Sequence, residues 1–425
     1  MATGAIALLL ALGLVSCGDD EGQTTSEETR LELVIGDQVP LSGERAALGL
    51  AGTKATNLAI DRINSAVNDV GADHVVEIVH QDEGADPDAA VRSARKMVDS
   101  DGANCITGAW SSPDAVAVAE SIAIPERIPL ISSASTADEI TALDDDGLVA
   151  RTAPPERHQA EALAKAIDAD IGAAGSSVNV AVTDDAYGRD FAKDFREQWE
   201  SLGGAVGADA RYDPAAAADA DKAAEITEGA PDAWVIIGSP DAFAGLGPIL
   251  LSSGAWEPDR TWTTEELGLP ARQLGSPSLD PRLVEGMRVI VPGAPLDSEA
   301  SQAFAELYAN ADPKTIPLEA FGPQSFDAVI LCYLAAVAAK STDGGEMADA
   351  LIDMTAPGGE VYSWQQLPDA IRALQRDEDI DYEGASGAID LDVDGDPRAA
   401  SYDVAVLQGG SLATVDQVSI AQGPP

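Results

Sequence analysis

The sequence predicts an α/β protein built as two doubly wound lobes, and three observations carry that prediction. From Leu31 onward, short apolar runs alternate with helical patterns, which implies parallel sheets with helices on both faces. The strand-like runs are too numerous for one small open sheet. The body from Leu31 to the C-terminus is long enough for two domains of about 100–200 residues each.

In chain order, a strand at 33–35 leads into a long helix at 47–67. A strand at 75–79 precedes a helix at 86–98, in which Val91, Ala94 and Val98 fall at helical spacing. A strand at 103–107 is followed by a helix opening at Pro113, and then by a strand at 128–132. The rhythm resumes with a helix at 156–167, a strand at 178–183 and a helix near 187–202. Strands at 234–237 and 287–291 follow, and helix-rich sequence at 301–307 and 320–340 fills the later part. No repeat of solenoid period is present.

Ahead of this body lies an apolar run, 6–17, ending Leu14-Val15-Ser16-Cys17. It is too short to span a bilayer, which takes about 20 apolar residues, and it suits the core of a secretory signal. Small residues followed by Cys resemble the lipobox of bacterial lipoproteins. That resemblance implies a signal peptide over 1–17, acylation of Cys17, and an extracytoplasmic protein lipid-anchored to a bacterial membrane; the alternative is an ordinary signal peptide with an incidental Cys. Residues 18–30 are polar and acidic with nothing to bury, which predicts a flexible tether.

The chain carries 73 Asp and Glu against 25 Lys and Arg, a net charge of −48 spread over its whole length. Nucleic acid and anionic membrane surfaces would repel it, so nucleic acid is excluded as a partner. Such a surface favours solubility at high ionic strength, where screening relieves self-repulsion. Cys105 falls in an apolar strand and Cys332 in an apolar helix. Both read as free buried thiols, since a disulfide would need these two elements to meet. No metal spacing is present, and His74, His80 and His158 are scattered. Asp390-x-Asp392-x-Asp394-Gly395 imitates the start of a calcium loop, but its twelfth position is Ser401 rather than Glu. There is no zincin motif, nucleophile elbow or phosphate loop, so no catalytic residue, cofactor or metal is expected.

In open α/β sheets ligands bind beyond the carboxyl ends of strands, which directs attention to four turns. After Thr107 comes Gly108-Ala109-Trp110-Ser111-Ser112-Pro113, a helix start with Pro at its first position. After Ile131 comes Ser132-Ser133-Ala134-Ser135-Thr136, and Thr136 with Glu139 reads as a capping box. Two such turns side by side suit a carboxylate; taken singly, Ser112 and Thr136 simply cap helices. The third turn carries Tyr187, whose ring either crosses the crevice or packs at a helix start. The fourth carries Glu265 and Glu266, which either face a ligand ammonium or form a solvated acidic loop.

Together these segments resemble type I periplasmic binding proteins, the leucine/isoleucine/valine-binding group of ABC transporters. The matching residues are Pro40-Leu41-Ser42-Gly43 with Gly49 and Ile63-Asn64, Asp82, Arg151-Thr152 with Gln159, Asp185-Ala186-Tyr187-Gly188, Phe326-Asp327-Ala328, and the segment from Gly384 to Asp396. The resemblance implies a clamshell with three hinge crossings near Ala153, Pro292 and Pro397. Lobe 1 would comprise 31–152 and 293–397, and lobe 2 would comprise 153–292 and 398–425. It implies that Ser112, the Ala134 backbone and Thr136, with Ser111 and Ser135 beside them, hold a ligand α-carboxylate. Trp110 would line the side-chain pocket, Tyr187 would close over the ligand, and Glu265 or Glu266 would meet the α-ammonium. Leu48 replaces a Trp of the branched-chain binders, and Pro240 replaces a tyrosine, which argues against leucine-like specificity. The implied function is a monomeric substrate-binding lipoprotein of an ABC importer. It would take an amino acid or small amide and deliver it to permease subunits. The alternative is a sensing lipoprotein that presents its ligand to a membrane receptor.

Overall fold

The computed structural model describes residues 30–43, 45–84, 86–213, 220–272, 279–311 and 321–421. A first, wholly parallel sheet contains β1 (Leu31–Val39), β2 (His74–Asp82), β3 (Cys105–Thr107), β4 (Leu130–Ser132) and β5 (Val149–Arg151), in the order β2-β1-β3-β4-β5. Helices α1 (Ala46–Val70), α2 (Pro87–Asp99), α3 (Ser112–Val118), α4 (Ile124–Glu126) and the single turn α5 (Asp138–Thr141) connect these strands. Alternate residues serve opposite faces, as the period of a strand requires. Cys105, Ile131 and Ala150 enter one core with α1, while Ile106, Leu130 and Val149 enter another with α2 and α3.

Helix α6 (Glu156–Ile171) carries the chain to a second sheet. This contains β6 (Ser177–Thr183), β7 (Ala205–Tyr212), β8 (Ala233–Ile237), β9 (Thr261–Thr264) and β10 (Arg288–Pro292), connected by α7 (Ala186–Ser201), α8 (Ala220–Ile226), α9 (Pro240–Ser253) and α10 (Glu265–Arg272). The chain then returns to the first lobe as α11 (Glu299–Ala311), α12 (Gly322–Ala339), α13 (Gly344–Met354) and α14 (Leu367–Gln375), with a small sheet of β11 (Glu360–Ser363), β12 (Ile380–Gly384) and β13 (Gly387–Ala388). A hairpin of β14 (Ala399–Gln408) and β15 (Ser411–Ala421) pairs antiparallel with β10, giving the order β15-β14-β10-β9-β8-β6-β7. Val178, Val180 and Val182 of β6 face one core and Ala181 the other, so this lobe is also covered on both sides.

Strands β5, β7, β9 and β11 to β15 were not among the sequence expectations. Edge position explains two of them: β7 and β15 keep one side toward solvent and carry few consecutive apolar residues. Helix α12 has the length and apolarity to cross a membrane, but 89% of it is buried in the first lobe, so it is a core helix.

The free-thiol reading of Cys105 and Cys332 is corrected. Helix α12 lies across β3, which brings the two Cα atoms to 6.1 Å, and the sulfurs form a disulfide. Spacing of 227 residues hid this pairing, because only the packing of α12 on the sheet brings them together.

The chain passes between the lobes after Arg151, after Pro292 and before Ala399. A buried ion pair binds the first and last crossings together. Arg151 donates from Nε to Asp396 Oδ1 (2.6 Å) and from Nη2 to Oδ2 (3.0 Å), and Arg157 of α6 adds a bond to Oδ2 (2.9 Å). Burial raises the Asp396 carboxyl, but the Arg151 hydrogen bonds and charge outweigh it and hold it below its usual value. Gly395 makes the close approach possible. Its φ is +75°, and a Cβ there would meet the Val149 carbonyl at 2.4 Å. The calcium-like segment is thus a turn, in which Asp392 accepts from the backbone of Asp394 and Asp396.

Candidate functional site

The first wall of the candidate cleft lies at the ends of β3 and β4. Trp110 is nearly buried. Its backbone N–H donates to Glu83 Oε2 (2.7 Å), and its ring lies edge-on to Phe321. The ring reaches α1 only because residue 52 is glycine: a Cβ there would stand 2.3 Å from the indole. Ser111 precedes α3, and Ser112 is its first residue. The Ser112 hydroxyl does not cap its own helix. It accepts from the backbone of Thr136 (3.2 Å) and Ala137 (3.3 Å). With both acceptor positions taken, its proton remains free to donate.

The capping box of Thr136 and Glu139 does not form. Helix α5 begins after Ala137, with no side-chain cap. The segment is instead pinned back on Ala109, whose carbonyl accepts from Ser132 and Ser135. Ser135 is therefore buried with its hydroxyl engaged, Ala134 is buried, and Thr136 keeps part of its surface. The two turns do meet, through Ser112. Thr136 also passes the contact on to the hinge, since its carbonyl accepts from the Glu156 backbone (2.8 Å).

The second wall belongs to the other lobe. Glu265 and Glu266 are not on a loop. They open α10 directly after β9, where a helix start favours carboxylates. Glu265 accepts from Gln159 Nε2 of α6. Burial pushes the Glu265 carboxyl up to about 7, against the Gln159 bond. Glu266 is raised by burial and partly restored by Arg45. Tyr187 sits in the first turn of α7, its hydroxyl 3.4 Å from Thr264 Oγ1. Burial and the charges of Glu265, Glu156 and Glu266 raise its pKa.

Three further residues escaped the sequence. Glu83 is buried beside Trp110 and is pushed up to about 7 by burial, against the Trp110 N–H bond. Its place at the carboxyl end of β2, after Asp82, was the available signal. Arg45, the residue that precedes α1, acts on Glu83 and Asp114 of the first wall and on Glu265 and Glu266 of the second. Glu156 begins α6 and is pushed up to about 9 by burial and then by Asp138, Asp190, Asp194 and Glu265. Nothing in the sequence marked it as buried. The walls also touch through apolar groups: Val39, Trp110, Ala134, Ala153 and Phe321 share one buried cluster with Leu267, and Leu48 packs against it. Among the described residues, no group of three His, Cys, Asp or Glu side chains is placed to hold a metal ion.

The family model for periplasmic binding proteins matches residues 32–366. This chain is a periplasmic binding protein. A curated relative of the binding protein is the chemotactic signal transduction system substrate-binding protein BasB of Halobacterium salinarum, 25% identical over 374 residues, covering 84% of this chain and 83% of BasB. Among solved structures, the branched-chain amino acid transporter substrate-binding protein LivJ of Streptococcus pneumoniae, bound to isoleucine, superposes with a TM-score of 0.69 at 19% identity. The match covers 91% of this chain and 99% of LivJ. A solute-binding protein of an ABC transporter from R. palustris, bound to benzoate, gives 0.63 at 21% identity and covers 92% and 98%. At these identities the likeness establishes a shared fold.

Proposed function

We propose that this protein is an extracytoplasmic substrate-binding lipoprotein that takes an amino acid or related small amide between its lobes. The observation that carries the reading is the facing of two unlike walls. One offers the hydroxyls of Ser112 and Thr136, the Thr136 and Ala137 N–H groups being engaged by Ser112, and the other offers the carboxylates of Glu265 and Glu266. A zwitterion satisfies both. In this reading residues 31–152 with 293–397 form lobe 1, residues 153–292 with 398–425 form lobe 2, and both swing about Ala153, Pro292 and Pro397. Ser112, Ala134 and Thr136 receive the carboxylate, with Ser111 and Ser135 supporting their turns. Trp110 lines the pocket and Tyr187 closes over it. Ligand favours the closed state, and a membrane partner reads that state.

The partner is the permease of an ABC importer, served by a monomer. The importer assignment is supported by the transporter proteins among the structural neighbours. A second reading, presentation of the ligand to a membrane receptor, is favoured by the chemotactic role named for BasB. Uptake of labelled ligand, set against motility in a ligand gradient after gene deletion, separates the two. Cys17, the proposed anchor, lies outside the described residues. Cys17→Ser should release the protein from the membrane fraction.

The central test is a thermal-shift screen of amino acids, amides, sugars and divalent ions, since bound ligand raises stability by mass action. An amino acid or amide should stabilise the protein. A response to sugars or metals alone would overturn the reading.

A further inference from the structure

The first turn of α6 brings a second set of acceptors to the acidic wall. Glu156 is 3% exposed and Gln159 1% exposed, and they lie three residues apart, on one face of the helix. Oε1 of Glu156 and Oε1 of Gln159 are both buried without a hydrogen-bond partner. Gln159 uses its Nε2 on Glu265, so its vacant oxygen is held beside that carboxylate. The charges that raise Glu156 come from Asp138 of α5, Asp190 and Asp194 of α7 and Glu265 of α10. Arg157 pairs with Asp138 and the exposed Lys193 with Asp194, while Asp190 and Glu265 stand on the acidic side without such a cation among the described residues. Around Glu265 stand Glu266, also acidic, and Arg45 across the cleft. Tyr187 faces the same carboxylates.

We propose that Glu156, Gln159 and Glu265 together receive a primary ammonium group of the ligand, so that Glu156 and Gln159 are specificity-determining residues. The inference rests on the reading of the cleft as an amino-acid site and narrows it: it selects amines over amides and urea-like compounds. A primary ammonium brings three N–H donors and a positive charge, which matches three acceptor oxygens in an acidic surround. An amide brings two donors and no charge. A buried acceptor left unpaired costs stability, and a buried acid ringed by acids costs more. The start of α6 favours an acid at Glu156 but does not satisfy its buried oxygen, and a bound cation removes both costs.

A coupling to pH follows. In the empty protein both carboxyls are raised, Glu156 to about 9 and Glu265 to about 7, so near pH 7 Glu156 holds its proton and Glu265 holds one about half the time, and an ammonium must displace them. Binding then releases protons, and affinity rises with pH until the ligand's own ammonium begins to titrate.

The test is calorimetry at pH 6 and pH 8, with the twenty common L-amino acids and with the des-amino carboxylate of each one that binds. Wild-type protein should bind its amino acid more tightly at pH 8, with proton release seen as a dependence of the heat on buffer. The des-amino carboxylate should bind at least about tenfold more weakly and should not gain affinity with pH. Glu156→Gln should lose about tenfold or more for the amino acid, reduce the pH dependence to the part that Glu265 contributes and leave the des-amino carboxylate unaffected. The empty variant should be at least as stable as wild type. Gln159→Leu should reproduce the loss of affinity, which keeps the test decisive if Glu156→Gln fails to fold. Unchanged affinity and proton release in both variants overturn the assignment while leaving the cleft reading intact. Binding of amides or carboxylates without any amine also overturns it. Stabilisation by sodium chloride over choline chloride, lost in Glu156→Gln and with no amino acid responding, assigns the acceptors to an inorganic cation and overturns both.

Discussion

The wall at the ends of β3 and β4 and the wall at the start of α10 differ in how far they are complete without a ligand. On the first, Ser112, Ser132 and Ser135 all have protein partners, and they bind neighbouring turns to one another. On the second, Glu156 and Gln159 leave buried oxygens unpaired, and Glu265 is raised by burial. Preformed donors cost a binding site little, whereas uncompensated acids make the empty protein less stable. On the proposed reading, the first wall is held mainly by its own hydrogen bonds, with the Trp110 Nε1 and the raised Glu83 carboxyl as its exceptions, while the second would gain more from a ligand.

The largest expected effect comes from removing what holds the two walls in register. Arg151→Met leaves Asp396 buried with its principal partner gone, and should cost about 3–5 kcal/mol in denaturant unfolding. The sign in pH can be worked out. Asp396 is lowered in the folded state, so the contribution of the pair is present above the unfolded carboxylate value, about 3.9, and is lost as pH falls through the folded value. A variant whose stability matches wild type at pH 7 would show that the clamp is not needed.

Next in size is the disulfide, which braces only the first lobe. Reduction, or Cys105→Ala with Cys332→Ala, should cost about 2–4 kcal/mol. If the first wall owes its rigidity to this core, ligand affinity should fall together with stability. Loss of stability with unchanged affinity would separate the wall from the bridge behind it.

These two features mark the limit of what the sequence made legible. The parallel lobes were readable because buried strands such as Cys105–Thr107 and Ala233–Ile237 leave continuous apolar runs. The hydroxyl turns were readable because Ser and Thr after a strand are distinctive. Their wiring was not. Ser112 bonds to the backbone of the next turn rather than capping its own helix, and that depends on how far β4 carries the chain past β3. Nor was the burial of Glu83 and Glu156, because a Glu at a strand end or a helix start reads as solvated until the packing of distant segments around it is known.

A smaller effect probes the first wall directly. Ser112→Ala and Thr136→Val should each weaken binding of the amino acid found by screening by very roughly 10- to 150-fold, the value of one hydrogen bond to a charged group. Ser112→Ala should be the worse for stability, because it also leaves the N–H groups of Thr136 and Ala137 without their acceptor. Equal affinities in wild type and both variants would reduce these hydroxyls to supports for the turns.

The smallest expected effect sharpens the contrast between a rigid wall and a dependent one. Trp110 is held by Glu83 through its backbone and fits against Gly52 and Phe321, so it should move little when ligand arrives. Its Nε1 is buried without a partner, which makes its emission sensitive to any new acceptor or change of polarity at the cleft. Ligand should therefore change fluorescence by a modest shift in intensity or wavelength. Trp110→Phe should lose most of that change while keeping most of the affinity, since the ring would be replaced by another apolar one. The protein has six Trp residues, so the comparison must be made between the two proteins and not on wild type alone. Equal ligand-induced changes in both would place the responding indole elsewhere and remove Trp110 from the first wall of the site.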